Sequence, residues 1–387
     1  MTTIPNHRPR SMMLVTVMLA WTAAATWLLF PYVMNDVSTD YIPWYLHVVT
    51  AGPIGAFMTP FSNYTPPYLY LLALAAPLHG LVADAVVIKL VGLAGHVLLA
   101  LASFRLLEVL HVRWAKLGAL GVFALPSLFA NPILFGQCDA LYAAPIVLAL
   151  VAAVERRHGV MMLWCGLALA VKLQAILIAP FFLALLLARR VQAKYWLLAP
   201  AGYIAAFIPA WLAGWPIADL ATIYSRQAEW VIQGPLNAPN LWTLVHLQGS
   251  GTVATWLPVA ATALALLAYL FVGVRRLASA DSAELMRFAL LAVLVTAGLL
   301  PRMHERYFFL ADLFALVLAL DRPGRDTIMV AALVQFGSVG ALVAYVTGAN
   351  EFAVIGAIAM IAATWVTASL RLAPTHHSVV LPSHSSS

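Results

Sequence analysis

"PYLYLLALAAPLHGLV", residues 67–82, is an apolar run that could cross a bilayer or lie along its surface, and the choice sets the side on which every later loop emerges. The composition around it makes lipid the relevant solvent. The chain has 387 residues, 63% hydrophobic and 9% charged, where a soluble domain carries about 25% charged residues. It therefore reads as a polytopic, all-α membrane protein. The net charge of +6 does not point to nucleic acid, because there is no basic tail and the cations fall between apolar runs. Two cysteines, Cys138 and Cys165, make neither a disulfide framework nor a metal site.

Besides 67–82, apolar runs of helical length fall near 12–30, 85–104, 116–130, 140–154, 159–171, 174–188, 195–213, 254–273, 286–300, 307–320, 327–347 and 352–370, which predicts about twelve spans. The stretch 159–188 could be one long helix; it is split here at Lys172-Leu173-Gln174, where two polar side chains interrupt the run. The first run follows Arg8 and Arg10 and offers Ala23 and Ala25 as a cleavage-like pattern, but it exceeds the roughly 7–15 apolar residues of a signal peptide and reads as an uncleaved span.

Charge decides the topology. With 67–82 on the surface and the N-terminus in the cytoplasm, sixteen of the 21 Lys and Arg residues are cytoplasmic; Lys89, Lys172, Arg226, Arg302 and Arg306 lie on the far side. If 67–82 spans, the cytoplasm keeps seven and the far side receives fourteen. Short loops on the cytoplasmic side are the ones rich in Lys and Arg, so the first arrangement is chosen, with both termini cytoplasmic. Residues 1–373 then form one transmembrane domain, with 31–84 and 214–253 as external segments, juxtamembrane helices in the first, and a low-complexity tail, 374–387, expected to be disordered.

The far face collects the polar groups. Asp36 and Asp40 stand four apart after the first span, on one face if the segment is helical. A carboxylate partly removed from water becomes a stronger base, although "NDVSTD" also suits a helix cap. "PRMHER", 301–306, brings Arg302, His304 and Arg306 into one turn; guanidinium forks suit phosphate, and an internal pair with Glu305 is the plainer reading. Lys172 interrupts "ALAVKLQAIL", where an ionisable group at membrane depth suggests function and snorkelling is the alternative. Gln137 and Asp139 in "GQCD" could cap a helix or orient a cation or sugar hydroxyl. Trp215, Tyr224, Trp230 and Trp242, with Gln227, Gln233, Asn237 and Asn240, suit sugar rings; for any single Trp an interfacial belt is the better reading. No metal motif, Walker loop or dinucleotide fingerprint occurs, so the sequence demands no cofactor, and a divalent metal is left open.

Asp36 followed by Pro43-Trp44, "NYTPPYLYLL" (63–72), "NPILFGQCDALY" (131–142), "GLALAVKLQA" (166–175) and "PRMHERYFF" (301–309) together resemble the GT-C superfamily of integral-membrane glycosyltransferases, over about residues 12–320. Within it the chain looks similar to bacterial relatives of the second mannosyltransferase of GPI-anchor synthesis. The resemblance implies a sugar donor on a polyprenyl phosphate, a glycan or glycolipid acceptor such as a cell-envelope polysaccharide, and transfer with inversion at the periplasmic face of a bacterial inner membrane. It implies Asp36 as general base, with Asp40, where an apolar residue is expected, as second candidate. Lys172, Arg302, His304 and Arg306 would hold the donor phosphate, and Trp44, Asn63, Tyr64, Gln137, Asp139 and Gln174 would contact substrate. The competing reading is a transporter or flippase of a lipid-linked sugar, which should carry ionisable groups near the bilayer midplane, where only Lys172 and Asp312 qualify. A non-catalytic assembly partner is a third reading.

Overall fold

The computed structural model describes residues 8–230, 237–246 and 252–372; the tail 374–387 and Gln233 lie outside the described residues. In chain order the helices are α1 (Arg8–Leu29), α2 (Ile42–Ala51), α3 (Pro66–Ala75), α4 (Asp84–Val109), α5 (Ala115–Ala124), α6 (Pro126–Ile133), α7 (Asp139–Val154), α8 (His158–Val171), α9 (Ala179–Leu187), α10 (Leu198–Ala213), α11 (Ile217–Trp230), α12 (Leu241–Leu244), α13 (Thr252–Leu277), α14 (Ser282–Leu299), α15 (Phe309–Asp321), α16 (Arg325–Thr347) and α17 (Glu351–Ser369). There is no strand among the described residues. The protein is an all-α, integral membrane protein.

Among the described residues, seven helices are long and apolar enough to cross a bilayer, and α5 with α6, bent by 58°, makes an eighth. The other four expected runs are the shorter apolar helices α7, α8, α9 with its preceding 3-10 turn, and α15. The α5–α6 bend has a local cause. Pro126 opens α6, and the residue before a proline is pushed out of the helical region, as Leu125 is with ψ 118°.

The run 67–82 is shorter than a full crossing needs. Helix α3 and its 3-10 extension end at Leu78, about 20 Å of rise against a hydrocarbon core of about 30 Å. Nor does it lie free on the surface: Tyr68, Leu69 and Leu72 are buried. The Tyr70 hydroxyl donates to the Ala206 carbonyl (3.2 Å) and accepts from the Ala210 amide (2.9 Å), bridging an i, i+4 pair of α10.

The stretch 159–188 is two segments. Lys172 is extended (φ −158°, ψ 137°), ending α8 before the 3-10 turn Leu173–Ile178. The last carbonyl of α8, on Val171, accepts a bond from the Thr65 hydroxyl at 2.8 Å, so the broken helix end is satisfied without water.

The bundle closes through small residues. A Cβ on Gly166 of α8 would stand 2.0 Å from the Ala199 carbonyl oxygen of α10, and one on Gly202 would stand 2.9 Å from Leu163 O. Between α16 and α17 the same close approach runs through Gly337, Gly340 and Gly356. Asp312 is buried in the first turn of α15 and forms no ion pair among the described residues.

Chain direction places the polar segments together. The C-terminal ends of α1, α6, α8, α10, α14 and α16 and the starts of α4, α7, α11, α15 and α17 share one end of the bundle. Lys89 of α4 donates to the Phe30 and Tyr32 carbonyls beyond α1, each at 2.6 Å. Trp242 donates to the Leu299 carbonyl that ends α14, at 2.6 Å. Trp242 and Trp215 are buried, Trp215 against Phe57 and Phe61. These two therefore act as internal packing and not as the interfacial belt their composition suggested, and much of 214–253 is the helix α11.

Replacing Gly166 with Ala should lower the unfolding temperature in detergent, by about 1–3 kcal/mol of stability, because the α8–α10 approach has no room for a methyl group. Gly298→Ala, where an added Cβ meets nothing within 4 Å, is the matched control and should leave it unchanged.

Candidate active site

Asp36 opens a single π turn, Val37–Tyr41, and does not cap it. Its carboxylate is turned inward: Oδ2 accepts from Gln137 Nε2 at 2.8 Å and from Arg306 Nη2 at 3.4 Å. Oδ1 receives no bond from the described residues. A loop acid after the first span is thus joined to the turn before α15, 270 residues away.

The turn that supplies Gln137 is tight. Gly136 has φ +62°, and a Cβ there would meet Val37 Cγ2 at 2.5 Å, so only glycine lets the 131–139 segment pass beneath the acidic loop. The Gln137 carbonyl oxygen Oε1 accepts from Tyr41 Oη (2.7 Å) and Lys172 Nζ (3.4 Å). An ammonium can only donate, so Lys172 fixes which way the amide faces and presents its N–H to Asp36. Lys172 in turn is ion-paired with Asp139, both almost wholly buried. Asp139 also accepts from Asn131 Nδ2 at 2.6 Å. Neither side chain is free: Asp139 is not acting as a cap, and Lys172 does not snorkel.

On the opposite wall, Arg306 donates to Glu305 Oε1 at 2.6 Å as well as to Asp36. The Glu305 side chain is fully buried. Burial alone would raise its carboxyl, but Arg306 and the neighbouring His304 outweigh it and hold the group down at about 2. His304 Nδ1 lies 3.6 Å from the other Glu305 oxygen. Arg302, in a left-handed conformation (φ 57°), makes no ion pair or hydrogen bond with the described residues.

These walls enclose a cavity of about 390 Å³. Asp36, Asp40, Trp44, Asn63, Tyr64 and Gln174 line it together with Arg302, Met303, His304, Arg306 and Tyr307. Gln137, Asp139 and Lys172 are not part of the lining and lie buried beneath it. Tyr64 accepts from or donates to Tyr41 at 2.9 Å, and burial drives its phenol up to about 12. Asp40 is raised by partial burial and by the nearby Asp36, against a bond from Thr39.

Of the residues singled out from sequence, twelve therefore meet at one end of the bundle, in two layers. Sequence reasoning missed Asn131, Tyr41, Tyr307 and the cavity-facing role of Gln227. Asn131 sits in a quoted segment, but only the turn at Gly136 brings it back onto Asp139, and no spacing rule announces that. Among the described residues no three His, Cys, Asp or Glu side chains cluster as metal ligands.

No family model matches the chain, and no curated protein matches it in sequence. Its structure is similar to the crystal structure of ArnT from Cupriavidus metallidurans bound to undecaprenyl phosphate, with a TM-score of 0.52 at 14% identity, over 92% of this chain and 76% of that one. The likeness is one of fold, and it bears out the all-helical architecture.

Glu305→Gln leaves the Arg306 charge buried with half its compensation, which should destabilise the protein by about 3–5 kcal/mol. Because the Glu305 carboxyl lies below its ordinary range, its stabilising share is present above pH about 4.5 and disappears as pH falls towards about 2. Unfolding temperature measured against pH should therefore drop more steeply across that window in the wild type than in the variant.

Proposed function

We propose that this protein is an inverting glycosyltransferase that moves a hexose from a polyprenyl-phosphate donor to a lipid-linked or surface glycan acceptor, at the non-cytoplasmic face of a bacterial inner membrane. One observation carries the reading: a carboxylate with one free oxygen, Asp36, and the guanidinium of Arg302 line a single cavity at one end of a lipid-embedded bundle. The likeness in fold to a protein bound to undecaprenyl phosphate supports a polyprenyl-phosphate donor. The positive-inside count supports the outward orientation of that end.

In this reading the acceptor hydroxyl gives its proton to Asp36 as its oxygen attacks the anomeric carbon. The bond from that carbon to the phosphate oxygen breaks on the opposite side, inverting the centre. The leaving group is a polyprenyl phosphate monoester, stable as an anion, so it needs neutralisation and not a strong acid. Arg302 is the cation free to supply it, with His304 beside Glu305 and Arg306 reaching in from between its two carboxylates. Lys172, buried and paired with Asp139, serves as a positioning residue that locks Gln137 and through it the base.

A flippase is the weaker reading. Lys172, one of the two candidates for midplane charge, is already committed to Asp139 beneath the cavity at one end of the bundle.

Asp36→Asn, expressed at the wild-type level, should reduce transfer from undecaprenyl-phosphate hexoses by about 10²–10⁴-fold. Retained turnover would move the base to Asp40. Arg302→Ala should raise the donor KM, whereas Lys172→Met should lower kcat with little change in donor KM; a raised donor KM in Lys172→Met would return that residue to direct phosphate contact.

A further inference from the structure

A second cavity, of about 410 Å³, adjoins the first and shares Asp40, Trp44, Asn63 and Gln227 with it. The two differ in charge. The inner one sets Arg302, His304 and Arg306 against Asp36 and Asp40. In the outer one the cation, Arg226, is neutralised by Asp219 seven residues earlier on α11, which leaves Asp40 as the uncompensated charge at the threshold between them.

The shared wall also has unmet hydrogen-bonding capacity. Asn63 Oδ1 and Gln227 Oε1 are both shielded from solvent, and no donor among the described residues reaches either. Gln227 is oriented by its own amide, whose Nε2 donates to the Asn63 carbonyl at 3.4 Å. A buried carbonyl oxygen left without a donor is costly, and a ligand bringing O–H groups would satisfy each of them once its amide turns towards the cavity. Trp44 and Phe61 add apolar faces on which the C–H side of a pyranose can rest.

We infer that this outer cavity is the acceptor site, and that it takes the uncharged, hydroxyl-rich end of a sugar in preference to an anionic one. The inference rests on the glycosyltransferase reading and adds the chemistry of its second substrate. Two acceptor oxygens call for hydroxyl donors, which a carboxylate or phosphate cannot supply. Asp40 at the threshold, with Asp36 behind it, repels an anion on the path to the base. The donor phosphate is drawn the other way, to the Arg302 wall, so the two substrates are sorted by charge before they meet at Asp36.

The test uses the full-length protein in detergent, undecaprenyl-phosphate mannose and undecaprenyl-phosphate glucose as donors, and methyl hexosides against the matching methyl uronates as acceptors. Both transfer and hydrolysis of donor to water are measured. The uronates should be poorer acceptors by about tenfold or more in kcat/KM, and Asp40→Asn should narrow that gap. Gln227→Leu should lower acceptor kcat/KM about tenfold relative to its effect on donor hydrolysis, the loss of one hydrogen bond. Equal use of uronates would overturn the charge preference. A parallel fall of hydrolysis and transfer in Gln227→Leu would place the outer cavity with the donor instead. A wild-type protein that neither transfers nor hydrolyses either donor would sink the transferase reading itself, and this site with it.

Discussion

A guanidinium held out of water has to be neutralised where it stands, and the geometry of this site follows from how Arg306 meets that demand. Its own neighbour Glu305 supplies one carboxylate and Asp36 the other. The second bond reaches across most of the chain, so it fixes the first external loop against the turn before α15. Lys172 and Asp139 repeat the device one layer deeper. In lipid such pairs cannot be exchanged for water, which makes them anchors as well as charges. The base is held by the same contacts that bury the cations, and Asp36 cannot move without unbalancing Arg306.

The functional side chains stand where helices are interrupted. Leu125–Pro126 bends the α5–α6 span, Gly136 turns back beneath Val37, Lys172 breaks α8, and Arg302 sits in a left-handed turn. A bilayer tolerates free backbone groups only where protein covers them. Each interruption is accordingly met by a partner, of which Thr65 on the Val171 carbonyl and Lys89 on the Phe30 and Tyr32 carbonyls are the plainest. The external segments thus do two things at once: they seal helix ends and they build the cavity wall.

This explains what could be read from the sequence. Hydropathy located the apolar helices, because it is a property summed over many residues. The break at Lys172 was visible because two polar side chains interrupt an apolar run. The gathering of Asp36 with 301–306 followed once the loops were assigned to one end. The layering did not follow. Lys172 and Arg306 are cations in the sequence, but whether each is free or spent depends on Asp139, Glu305 and Asp36 reaching them in space. Asn131, Tyr41 and the unpartnered oxygens of Asn63 and Gln227 carry no periodic signal. The two tryptophans assigned to an interfacial belt are core residues because α11 and α12 fold back over the bundle end, which composition alone does not foretell.

The partial commitment of the cations also bears on turnover. A phosphate gripped by four uncompensated positive groups in a low-dielectric cleft would be held too tightly to leave. Here two of the four, Lys172 and Arg306, already answer to three carboxylates. What remains for a ligand is Arg302, His304 and the reach of Arg306, set against the fixed negative charge of Asp36 and Asp40. Such a wall favours a phosphate that is gaining charge as a bond to it breaks over one that already carries its full charge at rest. Balancing the cations with carboxylates therefore serves release of the lipid phosphate as much as it serves the fold, and it is the same neutralisation that brings the base to the cleft.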